Sequence, residues 1–337
     1  MNRREILGYG LASLSATALS PMQAFGQAKY PERSIRLVVP FSAGGVVDTV
    51  ARQFAERIRP HLGTIVVENV SGAGGTIGMG ETARSKPDGY TLGLCNTSTM
   101  VINPTIMPKI TYDPTKSFEP ISILAISASG IIVNPGVPAK NLKEFIAYAK
   151  ANQGKMSYGS AGAGTMTHLA GELFKQVIDA PKIVHVPYKG AGPSIKDLVS
   201  GQVQYATINV TGQLLQLHNV GKVRILAVTS EERLKGVPEI PTAVESGLPK
   251  MVASLFTGLV VPAGTPKAIV AQVYQATQKV MNDPAMQKAL ITQGLEPIVG
   301  SSPEKMVAFL KEERERWIPV IDAAGLKQLG AKKGKKK

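Results

Sequence analysis

The sequence predicts an α/β fold built as two lobes, each a mixed, mostly parallel sheet flanked by helices. Apolar runs rich in β-branched residues alternate with stretches whose apolar positions recur at helical spacing, the pattern of strands joined by right-handed crossover helices. At 337 residues the chain can fill two cores of ordinary size. Small, glycine-rich turns separate several strands from the helices behind them, where open α/β sheets place ligand crevices.

Residues 34–41 form the first expected strand, ended by Ser42-Ala43-Gly44-Gly45. Val46, Val47, Val50, Ala51, Phe54 and Ile58 follow at helical spacing, and Pro60 is expected to stop that helix. The next strand is read over 64–69. A short helix opened by the glycines after Ser71 and ended before Pro87 comes next, then a strand over 90–95. A second unit begins after Pro135, with helices over 142–151, 165–178 and 194–199 and strands over 156–160, 182–186, 203–208 and 223–228. Two longer apolar segments, 121–134 and 254–261, are candidate crossings between lobes. The chain would then return to the first lobe through helices over 266–281, 284–293 and 303–324, the last bent or divided at Pro319. This organisation gives lobe 1 residues 29–128 and 254–330, and lobe 2 residues 129–253.

The first 28 residues read as an export signal: Arg3 and Arg4, a weakly apolar stretch over 6–19, then Gly26-Gln27-Ala28 as a small-x-small cleavage site. Paired arginines ahead of Ile6 and Leu7 resemble a twin-arginine signal, yet basic pairs also open Sec signals, so both export routes stay open. No later apolar run reaches the roughly 18 residues that a spanning helix needs. Hydrophobic residues make up 44% and charged residues 18%, which excludes a disordered chain. Cys95 has no partner for an internal disulfide and is read as a buried structural thiol.

Net charge is +14; the basic, disordered tail over 331–337 supplies five positive charges and the leader one, leaving +8 on the folded part. Such an excess favours encounter with anions. Nucleic acid is disfavoured as a partner, because aromatics at 5% are too few for stacking platforms and the leader exports the chain.

Four turns share one chemistry. They are Pro40 to Gly45, Gly72-Ala73-Gly74-Gly75, Ser160 to Thr165, and Tyr188 to Pro193. Each lies between a strand and a helix start, where unpaired N–H groups and partial positive charge suit a carboxylate or phosphate. Any one of them also reads as a tight turn that needs glycine. None completes a dinucleotide or Walker motif, so no cofactor is expected. Catalytic groups are scarce. Ser160 lacks the glycine two residues before it that a nucleophile elbow needs, and His61, His168, His185 and His218 stand isolated with no metal-ligand spacing. His168, near a helix start, reads as structural. Asp48 is expected to stabilise its loop by accepting backbone N–H bonds.

The same loops resemble the tripartite tricarboxylate transporter receptors, the Bug family of periplasmic binding proteins, over about residues 30–325. The resemblance rests on Tyr30-Pro31, Ile35 to Phe41, Gly44-Gly45 with Asp48 and Ala51-Arg52, and Val67-Glu68-Asn69 before the second glycine turn. It continues through Pro87 to Leu92, Tyr112-Asp113-Pro114, Gly159 to Gly162, His168-Leu169, Val186 to Gly190 and Pro262 to Pro266. It implies a type II periplasmic-binding-protein fold, a Venus flytrap, and a monomeric periplasmic receptor rather than an enzyme. The receptor would bind a small dicarboxylate or aromatic carboxylate by domain closure and deliver it to permease subunits of a tripartite transporter. A ligand sensor docking on a signalling partner without transport is the alternative.

Carried over by the resemblance, Phe41, Ser42, Ala43 and Gly44 would grip one carboxylate, partly through ordered waters, with Thr97 and Ser98 nearby. Ser160, Ala161, Gly162 and Thr165 would close from the other lobe. Two features depart from the family pattern. Ser42-Ala43 stands where Pro-Pro is common, and residues 204–209 carry no acidic residue, which disfavours an amino-acid ligand and leaves Asn209 for a distal carboxylate or amide. Phe256 stands where tryptophan is usual. Bulk at Gly162 is expected to obstruct ligand and closure without harming the ligand-free protein, provided Gly162 does not need positive φ.

From Gly26-Gln27-Ala28, exported protein should begin at Lys29. N-terminal sequencing of the envelope fraction checks this, and a soluble product retaining residues 1–28 would contradict it.

Overall fold

The computed structural model describes residues 30–107, 109–323 and 326. The expected leader and lysine tail lie outside the described residues.

The chain opens with β1 (Ile35–Val39), α1 (Val46–Leu62), β2 (Ile65–Asn69), α2 (Thr76–Arg84) and β3 (Thr91–Asn96). Strand β1 pairs in parallel with β2 on one side and β3 on the other. Helix α1 buries Val46, Val47, Val50, Ala51, Phe54 and Ile58, the stripe that the spacing predicts. It does not stop at Pro60. Proline so near the end removes a single intrahelical bond, and the helix runs on to Leu62, where Gly63 at φ 71° closes it by donating to the Arg59 carbonyl. After β3, a π-helical turn over Ser98–Ile102 and the short α3 (Asn103–Ile106) lead toward β4.

Strand β4 (Phe118–Val133) runs through both halves of the sheet. Up to Ala128 it lies antiparallel to β9 (Ser254–Pro262), and from Ser129 it pairs antiparallel with β7 (Tyr205–Asn209). The stretch before β9 crosses alongside: Ser129 donates to the Ala253 carbonyl, and Ala253 and Thr229 donate in turn to Thr229 and Ser129 carbonyls. Both expected crossings therefore sit in adjacent, hydrogen-bonded chain.

The second half contains α4 (Leu142–Asn152), β5 (Ser157–Ser160), α5 (Met166–Val177), β6 (Val184–Pro187) and α6 (Ala191–Val199) ahead of β7. Beyond it lie α7 (Gly212–Asn219) and β8 (Arg224–Val228). Strand β5 is parallel to β6 and β7, while β8 is antiparallel to β4. Its core holds the aromatic cluster of Phe145, Tyr158, Phe174 and Tyr205, all fully buried. Helix α7 escapes the periodicity reading because it has eight residues. Its local signal is Thr211, whose hydroxyl caps the Leu214 N–H.

The chain returns through β9, α8 (Lys267–Met281), α9 (Pro284–Thr292), the three-residue β10 (Leu295–Pro297) and α10 (Pro303–Ala323), which contains Pro319. The sheet order is β2-β1-β3-β9-β4-β7-β5-β6, with β8 and β10 also on β4. Parallel pairing is confined to the outer trios, and the strands joining them are antiparallel. Cys95 is fully buried in β3, where burial pushes its thiol pKa up. Among the described residues, no helix is long and apolar enough to cross a membrane.

Candidate ligand-binding cleft

The strand ends and helix starts that face each other across β4 enclose a cavity of about 30 Å³. From the first half come Phe41, Gly45, Val46, Val47, Asn96, Ser98 and Leu255; from the second come Ala161, Thr165, Thr167, Ala191 and Asn209. These are the carboxyl ends of β1, β3, β5 and β7 and the starts of α1, α5 and α6, as the parallel order of each trio requires.

The two sides touch. Met166 at the start of α5 donates its N–H to Ser98 Oγ at 2.9 Å, a bond between the halves. Gly190 lies so close to Ser42 that a β-carbon there would overlap the serine hydroxyl. Gln293, after α9, accepts from the Gly212 N–H at 3.1 Å, and Glu296 of β10 accepts from the Lys235 ammonium at 3.1 Å. This is a closed arrangement.

Several of the expected residues meet here and others do not. Phe41, Ser98, Ala161, Thr165 and Asn209 line the cavity. Thr97 turns to β9 instead, its hydroxyl accepting from the Phe256 N–H at 3.2 Å. Ser160 bonds sideways to His185, Oγ to Nε2 at 2.7 Å, and Ser42, Ala43, Gly44 and Gly162 stand in the loops behind the wall. The reading of the loops passed over Val46, Val47, Asn96, Thr167 and Leu255. Asn96 and Thr167 carried a usable signal, since each is a polar residue at a strand end or first helical turn beside a small-residue loop.

Asn96 is held in one orientation. Its Oδ1 accepts from the Thr99 N–H at 3.0 Å, so its Nδ2 is the free end. That Nδ2 and the Ser42 hydroxyl are buried without a hydrogen-bond partner. Unsatisfied buried donors are uncommon and costly, and both lie beside the cleft. Neither α1 nor α6 has a side-chain cap, because glycine fills both N-cap positions, Gly45 and Gly190. Helix α5 differs: Thr165 caps it by accepting from His168 N–H at 3.2 Å.

Asp48 anchors the first loop. Its carboxylate accepts from Gly44 N–H at 3.0 Å, Asn69 Nδ2 at 3.0 Å and Arg52 Nε at 2.9 Å. Burial works to raise its pKa, but the bonds from Arg52, Gly44 and Asn69 outweigh burial and hold the carboxyl below its ordinary range. Two of the four histidines are not isolated. His168 and His185 stack with ring centroids 4.0 Å apart, brought together by α5 and β6 although 17 residues separate them in sequence. His61 and His218 lie in the last turns of α1 and α7, and no cluster of three potential metal ligands occurs among the described residues.

Gly162 has φ 136°, and a β-carbon there would stand 2.7 Å from the Tyr188 carbonyl oxygen. The proviso attached to this position therefore fails, since a side chain strains the ligand-free loop itself.

The comparisons with known proteins agree with this geometry. Residues 50–326 match the family model described as tripartite tricarboxylate transporter family receptor. A solved structure of the periplasmic binding protein BugD is 36% identical, covering 88% of this chain and 99% of its own, with a TM-score of 0.84. MatC from Rhodopseudomonas palustris with bound malate is 31% identical, covering 87% of this chain and 100% of its own, with a TM-score of 0.81. R. palustris Rpa4515 with adipate is also 31% identical, covering 88% and 98%, with a TM-score of 0.84.

Gly162→Val should lower the unfolding free energy of the ligand-free protein by about 2 kcal/mol or more, read from urea denaturation; a parental midpoint would contradict this. Asp48→Asn tests the first loop. A depressed folded pKa contributes stability that is present above the ordinary value of 3.8 and lost as pH falls through the folded one. The variant should be less stable than the parent at pH 7 by about 1–3 kcal/mol. That gap should close in acid, read from denaturation midpoints across pH.

Proposed function

The chain belongs to the tripartite tricarboxylate transporter receptor family, and from that premise we propose that it captures a small dicarboxylate by closing its two halves on it and delivers it to the membrane subunits of a tripartite transporter. Members of this family are periplasmic solute receptors, not enzymes. In this reading the lobes are residues 29–128 with 254–330 and residues 129–253, and the mature protein starts after Ala28.

One observation carries the proposal. Loops from both sides of β4 converge on a cavity whose wall holds the uncapped starts of α1 and α6 and an unpartnered buried donor, Asn96 Nδ2, with a second, Ser42 Oγ, in the loop beside it. Helix starts and neutral donors bind the oxygens of an anion, and the wall holds no acidic side chain to repel one. Two relatives are solved with malate and adipate, both dicarboxylates. Asn209 stands at the second-half end of the cleft, suited to the distal carboxylate.

A cavity of about 30 Å³ has room for one or two waters, not for a dicarboxylate. Binding therefore needs the halves to part and then close around the acid, with the ligand touching both sides and so favouring the closed population.

Calorimetry with malate, succinate and adipate against their dimethyl esters tests this. At least one acid should bind, with its diester weaker by about 100-fold, because the ester loses charge-assisted bonds worth roughly twice neutral ones. Small-angle scattering should register compaction with the acid alone. Equal affinity for acid and ester would overturn the carboxylate reading, and binding without compaction would overturn closure.

A further inference from the structure

We propose that His168, backed by its stacked neighbour His185, is a positioning residue that sets the cleft-lining loop Ser160 to Thr165 through its neutral acceptor nitrogen, so that protonating it releases the loop. Several bonds fix the loop's shape, among them Thr165 N–H and Oγ1 to the Gly162 carbonyl, Ala161 N–H to Thr167 Oγ1 and Tyr188 N–H to the Ser160 carbonyl, and one more engages a buried titratable group. Gly164 donates its N–H to His168 Nδ1 at 3.3 Å. A backbone N–H can only donate, so Nδ1 must be the bare nitrogen and the ring proton lies on Nε2. At the other end of the loop, Ser160 Oγ accepts from Gly162 N–H at 3.1 Å and approaches His185 Nε2 at 2.7 Å. The Ser160–His185 bond can run in either direction, since the serine hydroxyl can instead donate to the Gly162 carbonyl at 3.3 Å. His168 Nδ1 is therefore the imidazole nitrogen that the loop requires as an acceptor.

The two imidazoles differ in what a proton does. At His185 the serine hydroxyl can rotate and accept instead. At His168 a protonated Nδ1 faces an N–H that has no second option, so that bond is lost outright. Through the loop, the loss reaches the cavity wall: Thr165 caps α5 and bonds the Gly162 carbonyl at 2.7 Å, and Ala161 donates to Thr167 Oγ1 at 2.9 Å.

The surroundings keep His168 neutral. It is 5% exposed, and burial pushes its pKa down to about 4, with Glu172 working against the shift and Lys175 with it. Burial, His168 and Lys175 take His185 down to about 3. The titratable groups around the pair are Glu172 and Lys175 of α5, Tyr158 of β5 and Tyr205 of β7. Tyr158 donates to Glu172 at 2.7 Å and stacks on His185, and Lys175 pairs with Glu172 at 2.9 Å, so the one nearby carboxylate is already engaged. The 4.0 Å stack makes a proton on either ring oppose one on the other. With a folded pKa below the ordinary 6.5, the unfolded chain takes up the proton first. Stability then falls as pH drops through 6.5 and levels off below the folded value.

Two substitutions separate acceptor from packing. His168→Gln keeps an acceptor without titration; His168→Phe keeps the stack without an acceptor. In ligand-free protein at pH 7, the Gly164 amide should exchange at least tenfold faster in His168→Phe than in the parent, and near the parent's rate in His168→Gln. The fall in melting temperature between pH 6.5 and 4 should be smaller in both variants than in the parent. By calorimetry at pH 7, the relevant acid among malate, succinate and adipate should bind at least tenfold more weakly to His168→Phe, and His168→Gln should recover most of that loss.

Parental Gly164 exchange in His168→Phe, or equal losses in the two variants, would overturn the positioning role. The affinity arm rests on the carboxylate-receptor reading, whereas the exchange and melting arms do not. Should none of malate, succinate and adipate bind the parent, that reading fails while Gly164 exchange still decides the role of His168.

Discussion

Everything in this molecule depends on β4 being one continuous strand that changes partners midway. Up to Ala128 it belongs to β9 and the first half, and from Ser129 it belongs to β7 and the second. A strand so shared can twist at the change of partner without losing pairing on either side, because each ladder is complete within its own half. The register slips at Pro120/Ser122, Ile123/Ala125 and Ile131/Ile132 flank that point, and bulges of this kind add local bend and twist. The second crossing, at Ala253, is bonded to Ser129 and Thr229 and must move with it. Under the proposed closure, relative motion of the halves would pivot at this pair of crossings, and loops a hundred residues apart in sequence would meet in register.

Most of that architecture was legible in the sequence, because strands β1, β5 and β7 and helices α1 and α5 announce themselves by apolar period. The crossings were visible as apolar runs too long for ordinary strands. Local chemistry misled at Pro60, which was weighted as a stop although a proline near a helix end removes only one bond. Helix α7 was invisible because eight residues give too few turns for a stripe. The short β10 pairs only where β4 already lies, so its three residues carry no pattern of their own.

The candidate site was legible in kind and less so in detail. Three of the four glycine-rich turns reach the cavity, and five of the expected residues stand in its wall. Composition could not say which way a side chain turns within a loop: Thr97 and Ser98 are neighbours, yet one bonds β9 and the other meets α5 across the cleft. The meeting of His168 and His185 lay wholly outside sequence reasoning, since it arises from α5 packing over β6. Gly162 illustrates the same limit from the backbone side. Its φ is set by how the loop passes Tyr188, which no spacing of residues encodes.

The absence of Lys and Arg from the cavity wall bears on how such a receptor can work. The folded chain carries +8, so long-range attraction of an anion is supplied by its surface. Had the wall itself held an arginine, each closure without ligand would bury an unpaired charge, a state costing several kcal/mol. Backbone N–H groups at α1 and α6, with Asn96 and Ser42, offer partial charges whose burial costs far less. A wall of such donors suits the proposed anion without charging the empty cleft. The ionisable groups stand in the adjoining loops instead, where Asp48 accepts from the Gly44 N–H and His168 from the Gly164 N–H.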